Sequence, residues 1–259
     1  MTVGQVTIAL APPYDDLTFL TPLCGGRAET FVEFLAGGSP GTVLDIGCGW
    51  AELLLRVVAA APTCTGTGVD TDEPSIEHGR QLAERRGLTE RVTLACGDGK
   101  DHIPARADAM ICIGASQVWG PPVQENQPLD YLAALRAVRA MVPRGARVVY
   151  GEGVWSQPPT PEAVASLSGR LDELVPTGEL VSLAVTAGFM PVAVHEASLD
   201  EWDAFESGYS ACYATWLAEH QPDHPDAPEV RAMAARQRDG YFGGYRTVMG
   251  MAYLQLLAV

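Results

Sequence analysis

The stretch Val43-Leu44-Asp45-Ile46-Gly47-Cys48-Gly49-Trp50-Ala51 decides the fold. Residues 42–46 form an apolar run with the composition of a buried strand, and they carry one carboxylate, Asp45. Two glycines, Gly47 and Gly49, follow at once. Glycine has no Cβ, so such a turn bends tightly and its backbone can come close to a ligand. Residues 52–61 then repeat with a helical period. The first N–H groups of a helix have no intrahelical acceptor, which suits them to a carboxylate or phosphate. A strand–Gly-x-Gly–helix unit is common to many nucleotide-binding α/β domains and selects no single ligand by itself.

Outward from this unit the alternation continues. Strands are expected at 65–69, 91–95, 109–113, 146–150, 189–195 and 247–259, with helices at 30–35, 74–86, 129–142, 162–175 and 178–187. Short β-branched runs separated by helices of ten or more residues indicate parallel strands joined by crossover helices. Residues 199–246 break the alternation. Trp202, Phe205, Tyr209, Tyr213 and Trp216 recur at spacings of three and four, one face of a helix, and a second helix is expected at 228–237. The expected fold is therefore an α/β domain, a seven-stranded, mostly parallel sheet with a helical cap between strands six and seven. It is read as one domain over 1–259, comprising an N-terminal flap and helix (1–40), a ligand-binding core (41–198), a helical lid (199–246) and the last strand (247–259).

Composition narrows the function. The 259 residues are 47% hydrophobic and 19% charged, enough apolar content for a sizeable core. Lys+Arg total 17 against 32 Asp+Glu, a formal charge of −15, and the single lysine is Lys100. So acidic a surface repels nucleic acid and anionic lipid, and neither is expected as a partner. No apolar stretch reaches the ~20 residues of a membrane helix. The N-terminus has no basic segment of the export type, and the six cysteines show no CxxC spacing, so a cytoplasmic protein with free thiols is expected. The five histidines are isolated, and no metal site is expected.

Two acidic positions and one further glycine turn sharpen the reading. Asp70 ends the second strand, where a carboxylate can accept two ribose hydroxyls. Gly97-Asp98-Gly99 follows the third strand, and Ile113-Gly114-Ala115 ends the fourth beside the same crevice. Asp45-Ile46-Gly47-Cys48-Gly49, Gly68-Val69-Asp70 and Gly97-Asp98-Gly99 together resemble motifs I, II and III of the class I S-adenosylmethionine (SAM)-dependent methyltransferases, over roughly residues 40–155. Most members of that family have glycine where Ala51 stands. The DNA-methylating members carry an (Asn/Asp)-Pro-Pro-aromatic motif after the fourth strand, whereas this chain reads Gly114-Ala115-Ser116-Gln117-Val118-Trp119; the layout is more similar to the bacterial small-molecule enzymes.

The resemblance implies a Rossmann-like strand order with an antiparallel last strand, SAM as cofactor, S-adenosylhomocysteine as its product and a small-molecule methyl acceptor, in a monomer or homodimer. It places Asp45, Gly47, Cys48 and Gly49 at the methionyl end, Asp70 on the ribose, and Thr71, Gly97, Asp98, Gly99 and Gly114 around the adenosyl group. Glu152, directly after the expected fifth strand, is the carboxylate expected to orient or deprotonate the acceptor, with Tyr241 and Arg246 as further catalytic candidates. Tyr14, Trp119, Trp155 and Tyr209 are expected to wall the acceptor, and the segment from Tyr14 to Leu23 to fold over the cofactor as a flap. Two other readings stay open on the residues alone: a SAM-binding module that does not methylate or uses SAM only as an assistant, and an NAD- or nucleotide-binding domain.

Overall fold

The computed structural model describes residues 8–98, 106–119 and 128–259. The chain opens with a 3-10 turn at Pro13–Asp15 and helix α1 (Gly25–Ala36), and then lays down β1 (Thr42–Ile46), α2 (Glu52–Ala60), β2 (Thr65–Asp70), α3 (Glu73–Arg85), β3 (Val92–Cys96) and β4 (Ala109–Ile113). A 3-10 turn (Ser116–Trp119), α4 (Tyr131–Met141), β5 (Arg147–Trp155), α5 (Pro161–Ser166), β6 (Val175–Pro176), α6 (Thr177–Thr186) and β7 (Phe189–Glu196) follow. Helices α7 (Leu199–Glu219) and α8 (Ala227–Gly240), a π-helical turn (Tyr241–Tyr245) and β8 (Met249–Ala258) complete it.

The sheet order is β3-β2-β1-β4-β5-β8-β7, with β6 paired to β5 off this path. Strands β1 to β5 run parallel, and β8 is antiparallel to both β5 and β7. From β1 the chain builds outward to β3 and then returns to place β4 on the other side of β1. That reversal opens a crevice above the carboxyl ends of β1 and β4, where open α/β sheets bind ligands. One sheet face packs under α1 and α2 around Phe31, Leu54, Ile111, Val149 and Tyr253. The other packs under α4 and α6 around Leu44, Met110, Leu135, Tyr150 and Leu180.

Three expectations are corrected. The helix expected over 162–175 stops at Ser166, because Gly169 takes a left-handed φ of 76° and turns the chain back. The following Val175–Pro176 makes an eighth, two-residue strand, too short to leave a periodic signature. Helix α1 begins at Gly25, well before residue 30, with the Cys24 Sγ accepting the Arg27 N–H at its start. None of the helices in the described residues is long and apolar enough to cross a membrane.

Candidate functional site

A cavity of about 640 Å³ sits above the β1/β4 crevice. Its floor is the turn after β1, lined by Asp45, Gly47, Cys48 and Gly49. Gly47 and Gly49 have φ of +68° and +53°, and a Cβ on Gly47 would lie 2.6 Å from the Ala115 Cβ. The turn is therefore pressed against the loop after β4, and glycine is required there by conformation and by space. Backbone bonds stitch neighbouring strand tips together: Gly47 and Cys48 N–H both donate to Val69 O, and Gly97 N–H donates to Asp70 O. Ala51 also sits left-handed, at φ 60°, as the N-cap of α2, and it makes no side-chain cap.

Asp70 lines the same cavity from the end of β2. One carboxylate oxygen accepts the Gly49 N–H at 2.7 Å and the other accepts the Asp72 N–H at 3.0 Å. Asp72 itself caps α3 through Ser75 N–H, so Asp70 is not spent on the helix start. Thr71, Gly97, Asp98 and Gly114 complete this part of the wall, and Gly99 lies outside the described residues. Asp45 is 4% exposed. Burial, aided by the charge of Asp70, holds its carboxyl well above the usual carboxylate range. A buried carboxyl of this kind gains most from a cationic neighbour. Burial also pushes the Cys48 thiol up, so it packs as an un-ionised wall residue.

The opposite wall is apolar. Ile113 and Met251 rise from the ends of β4 and the start of β8, Phe205 comes from α7, and the segment Phe19–Leu23 lies across them. That segment is held by three hydrogen bonds: Trp50 Nε1–H to Thr18 O (2.8 Å), the Tyr253 hydroxyl to Pro22 O (2.9 Å), and Tyr253 with Thr21 Oγ1 (2.9 Å). Beyond it, Glu201 binds the Arg27 guanidinium at 2.8 Å and accepts the Cys24 N–H. A second cavity of about 540 Å³ lies behind this strap and shares Phe19, Thr21, Leu23 and Phe205 with the first.

Several expected site residues lie elsewhere. Glu152 does not line the cavity. Side chains alternate across a strand, and Tyr150 and Glu152 both face the α4/α6 side, whereas Ile111, Ile113 and Met251 face the other. Glu152 is 4% exposed and accepts the Ser116 N–H at 3.0 Å and the Ser116 hydroxyl, which also meets the Tyr150 hydroxyl. Burial raises its carboxyl to about 7, against the opposing pull of those Ser116 bonds. Glu152 thus fastens the loop whose Ala115 presses on Gly47; it does not pair with Arg246.

Tyr241 and Arg246 both bind Asp203 of α7, the tyrosine hydroxyl at 2.6 Å and the guanidinium through two bonds at 2.8 Å. They staple the π turn to α7, away from the cavity wall. Trp155 is buried in a small cluster with Ala163 and Val248, its indole N–H donating to Leu171 O. Trp119 packs on the α4 side. Tyr14 stacks on His78 (centroids 4.1 Å apart) and meets the edge of Trp50. Tyr209 is 40% exposed and touches Phe205 rather than the cavity. The aromatic face of α7 is thus divided: Trp202 joins the main core, Trp216 packs against α8, and only Phe205 reaches the cavity. The sequence reading set Ile113 beside the crevice but missed Met251, Val118, Gln117 and Leu20 as cavity residues. Leu20 falls in the expected flap; the others carry no local signal.

With this geometry in place, comparison with known proteins is informative. Residues 43–139 match the family model described as a methyltransferase domain. YjhP of Escherichia coli (strain K12), an uncharacterized protein, is 27% identical over 223 residues, covering 85% of this chain and 86% of YjhP. The 8-amino-8-demethylriboflavin N,N-dimethyltransferase of Streptomyces davaonensis is 28% identical over 192 residues, 69% of this chain and 50% of that protein. Among solved structures, a SAM-dependent methyltransferase from Geobacter sulfurreducens, in complex with S-adenosyl-L-homocysteine, superposes with a TM-score of 0.81 at 23% identity, covering 95% of this chain and 96% of that one.

Proposed function

We propose that this chain is a class I SAM-dependent methyltransferase and that it methylates a small organic molecule in the cavity above β1 and β4. The observation that carries the proposal is the convergence of three separate sequence segments, 45–49, 70–71 and 97–98, on one cavity at the strand-order reversal.

The residues present suit the cofactor. The left-handed Gly47 and Gly49 form a turn without Cβ atoms, which a ligand could approach closely along the main chain. Asp45, buried and hard to ionise alone, is matched to a cationic amino or sulfonium group. Asp70 would accept ribose hydroxyls beside the bonds it already takes from Gly49 and Asp72. Thr71, Gly97 and Asp98 would flank the adenine, with Cys48 and Gly114 as walls. When bound, SAM would supply a methyl group already activated for transfer by its sulfonium. The chain's own contribution is then alignment of acceptor and methyl, and exclusion of water by the strap and Phe205. Glu152 acts through the loop it fastens, as a positioning residue.

The Streptomyces davaonensis relative is named for dimethylating an amine of a ring compound, which supports a small-molecule acceptor here. All six cysteines are free, as a reducing compartment allows, and this supports a cytoplasmic location. The test is incubation with methyl-labelled SAM and a cell extract. The proposal expects label in a low-molecular-weight product; tight SAM binding with no transfer to any small molecule contradicts it.

A further inference from the structure

The cavity is divided by the order of the strands. Among the described residues, its charged side chains, Asp45, Glu52, Asp70 and Asp98, come from β1, the start of α2, and the tips of β2 and β3. On the β4–β8 side of the glycine turn, the wall is Ile113, Met251, Phe205, Leu20 and Leu23. We propose, building on the methyltransferase reading above, that this apolar half is the acceptor subsite and that its acceptor is an uncharged, largely apolar ring compound.

Three observations support this. Leu20 lies against the turn, its Cβ 3.8 Å from where a Gly49 Cβ would be, yet it is 47% exposed. A leucine left half open on a cavity wall is surface that a bound apolar body would cover. Phe205 is held edge-on to Trp202, with centroids 6.2 Å apart and planes at 84°, so its ring is a fixed wall for another ring to stack on or abut. Among the described residues, the polar side chains on this half are Thr21 and Gln117, both uncharged, which can orient an acceptor by hydrogen bonds. A charged acceptor would surrender its hydration here for apolar contacts, and that transfer is strongly unfavourable.

The experiment titrates the protein saturated with S-adenosylhomocysteine with three probes of one shape: 2-naphthol, the 2-naphthoate anion and the 2-naphthylmethylammonium cation. At pH 7 the neutral probe should bind roughly tenfold or more tighter than either ion. Phe205→Ala should weaken naphthol about tenfold, and Met251→Ala, on the β8 side of the same wall, should do likewise, while S-adenosylhomocysteine affinity stays within about twofold of wild type. Equal or tighter binding of an ion, no naphthol binding to the saturated protein, or naphthol affinity unchanged in both variants overturns the subsite. Failure of the wild-type protein to bind S-adenosylhomocysteine at all instead overturns the cofactor reading beneath it.

Discussion

The two halves of the cavity are built in different ways. The charged half is assembled from strand tips that are neighbours in the sheet and each punctuated by its own short motif. The apolar half is assembled from a strap near residue 20, a strand end at 113, a helix at 205 and a strand start at 251. The first depends on βαβ topology, which brings successive strand ends together whatever the rest of the chain does. The second exists only after α7 and the strap have docked through Glu201–Arg27 and the Tyr253 hydroxyl. On the proposed reading, cofactor binding rests on the local half and acceptor choice on the half that tertiary packing creates.

The largest expected effect lies at the boundary between them. Gly47→Ala forces a Cβ to 2.6 Å from Ala115 at a left-handed φ, and should cost S-adenosylhomocysteine binding roughly 2–4 kcal/mol by calorimetry. Binding within experimental error of wild type would show that the turn does not cradle the ligand.

Next is Glu152, which holds the Ala115 loop from beneath. Its carboxyl titrates near 7 in the fold, above its ordinary range, so between about pH 4.5 and 7 the folded state keeps a proton that the unfolded state has released. Stability contributed by this group is therefore full below that window and lost as pH rises through 7. Urea unfolding across a pH series should show wild type losing on the order of 3 kcal/mol relative to Glu152→Gln over the window. A difference independent of pH would contradict the buried-carboxyl account.

Asp70→Ala should then weaken S-adenosylhomocysteine by about 1–3 kcal/mol, through lost charge-assisted hydrogen bonds and a Gly49 N–H left without its acceptor. The smallest effect is at Ala51. Glycine there relieves the left-handed strain but removes a methyl that is 1% exposed, so Ala51→Gly should change unfolding free energy by less than about 1 kcal/mol either way.

The same contrast explains what could be read from the sequence. The boundaries of β1 and β4 are plain from apolar runs, and the turn, Asp70 and Asp98 are plain from their motifs. Glu152 misleads because the sequence marks it as lying past a strand end near residue 150, whereas β5 continues to Trp155 and its alternation turns the carboxylate to the far face. Tyr241 and Arg246 mislead because their partner, Asp203, is 38 residues from the tyrosine, and no spacing rule links them. Met251 looks like any apolar strand residue; only the sheet order, with β8 inserted between β5 and β7, brings it to the cavity that Ile113 and Phe205 also line. The aromatic stripe of α7 is a true helical face, but its divided burial depends on which neighbours meet it along its length.

The most direct test of the account is a calorimetric titration of the wild-type protein, Asp70→Ala and Phe205→Ala with S-adenosylhomocysteine, and of wild type with NAD. The account predicts one-to-one binding of S-adenosylhomocysteine, weakened by Asp70→Ala and left nearly unchanged by Phe205→Ala, and no heat from NAD. Binding of NAD with no response to S-adenosylhomocysteine, or equal affinity in wild type and Asp70→Ala, would contradict it.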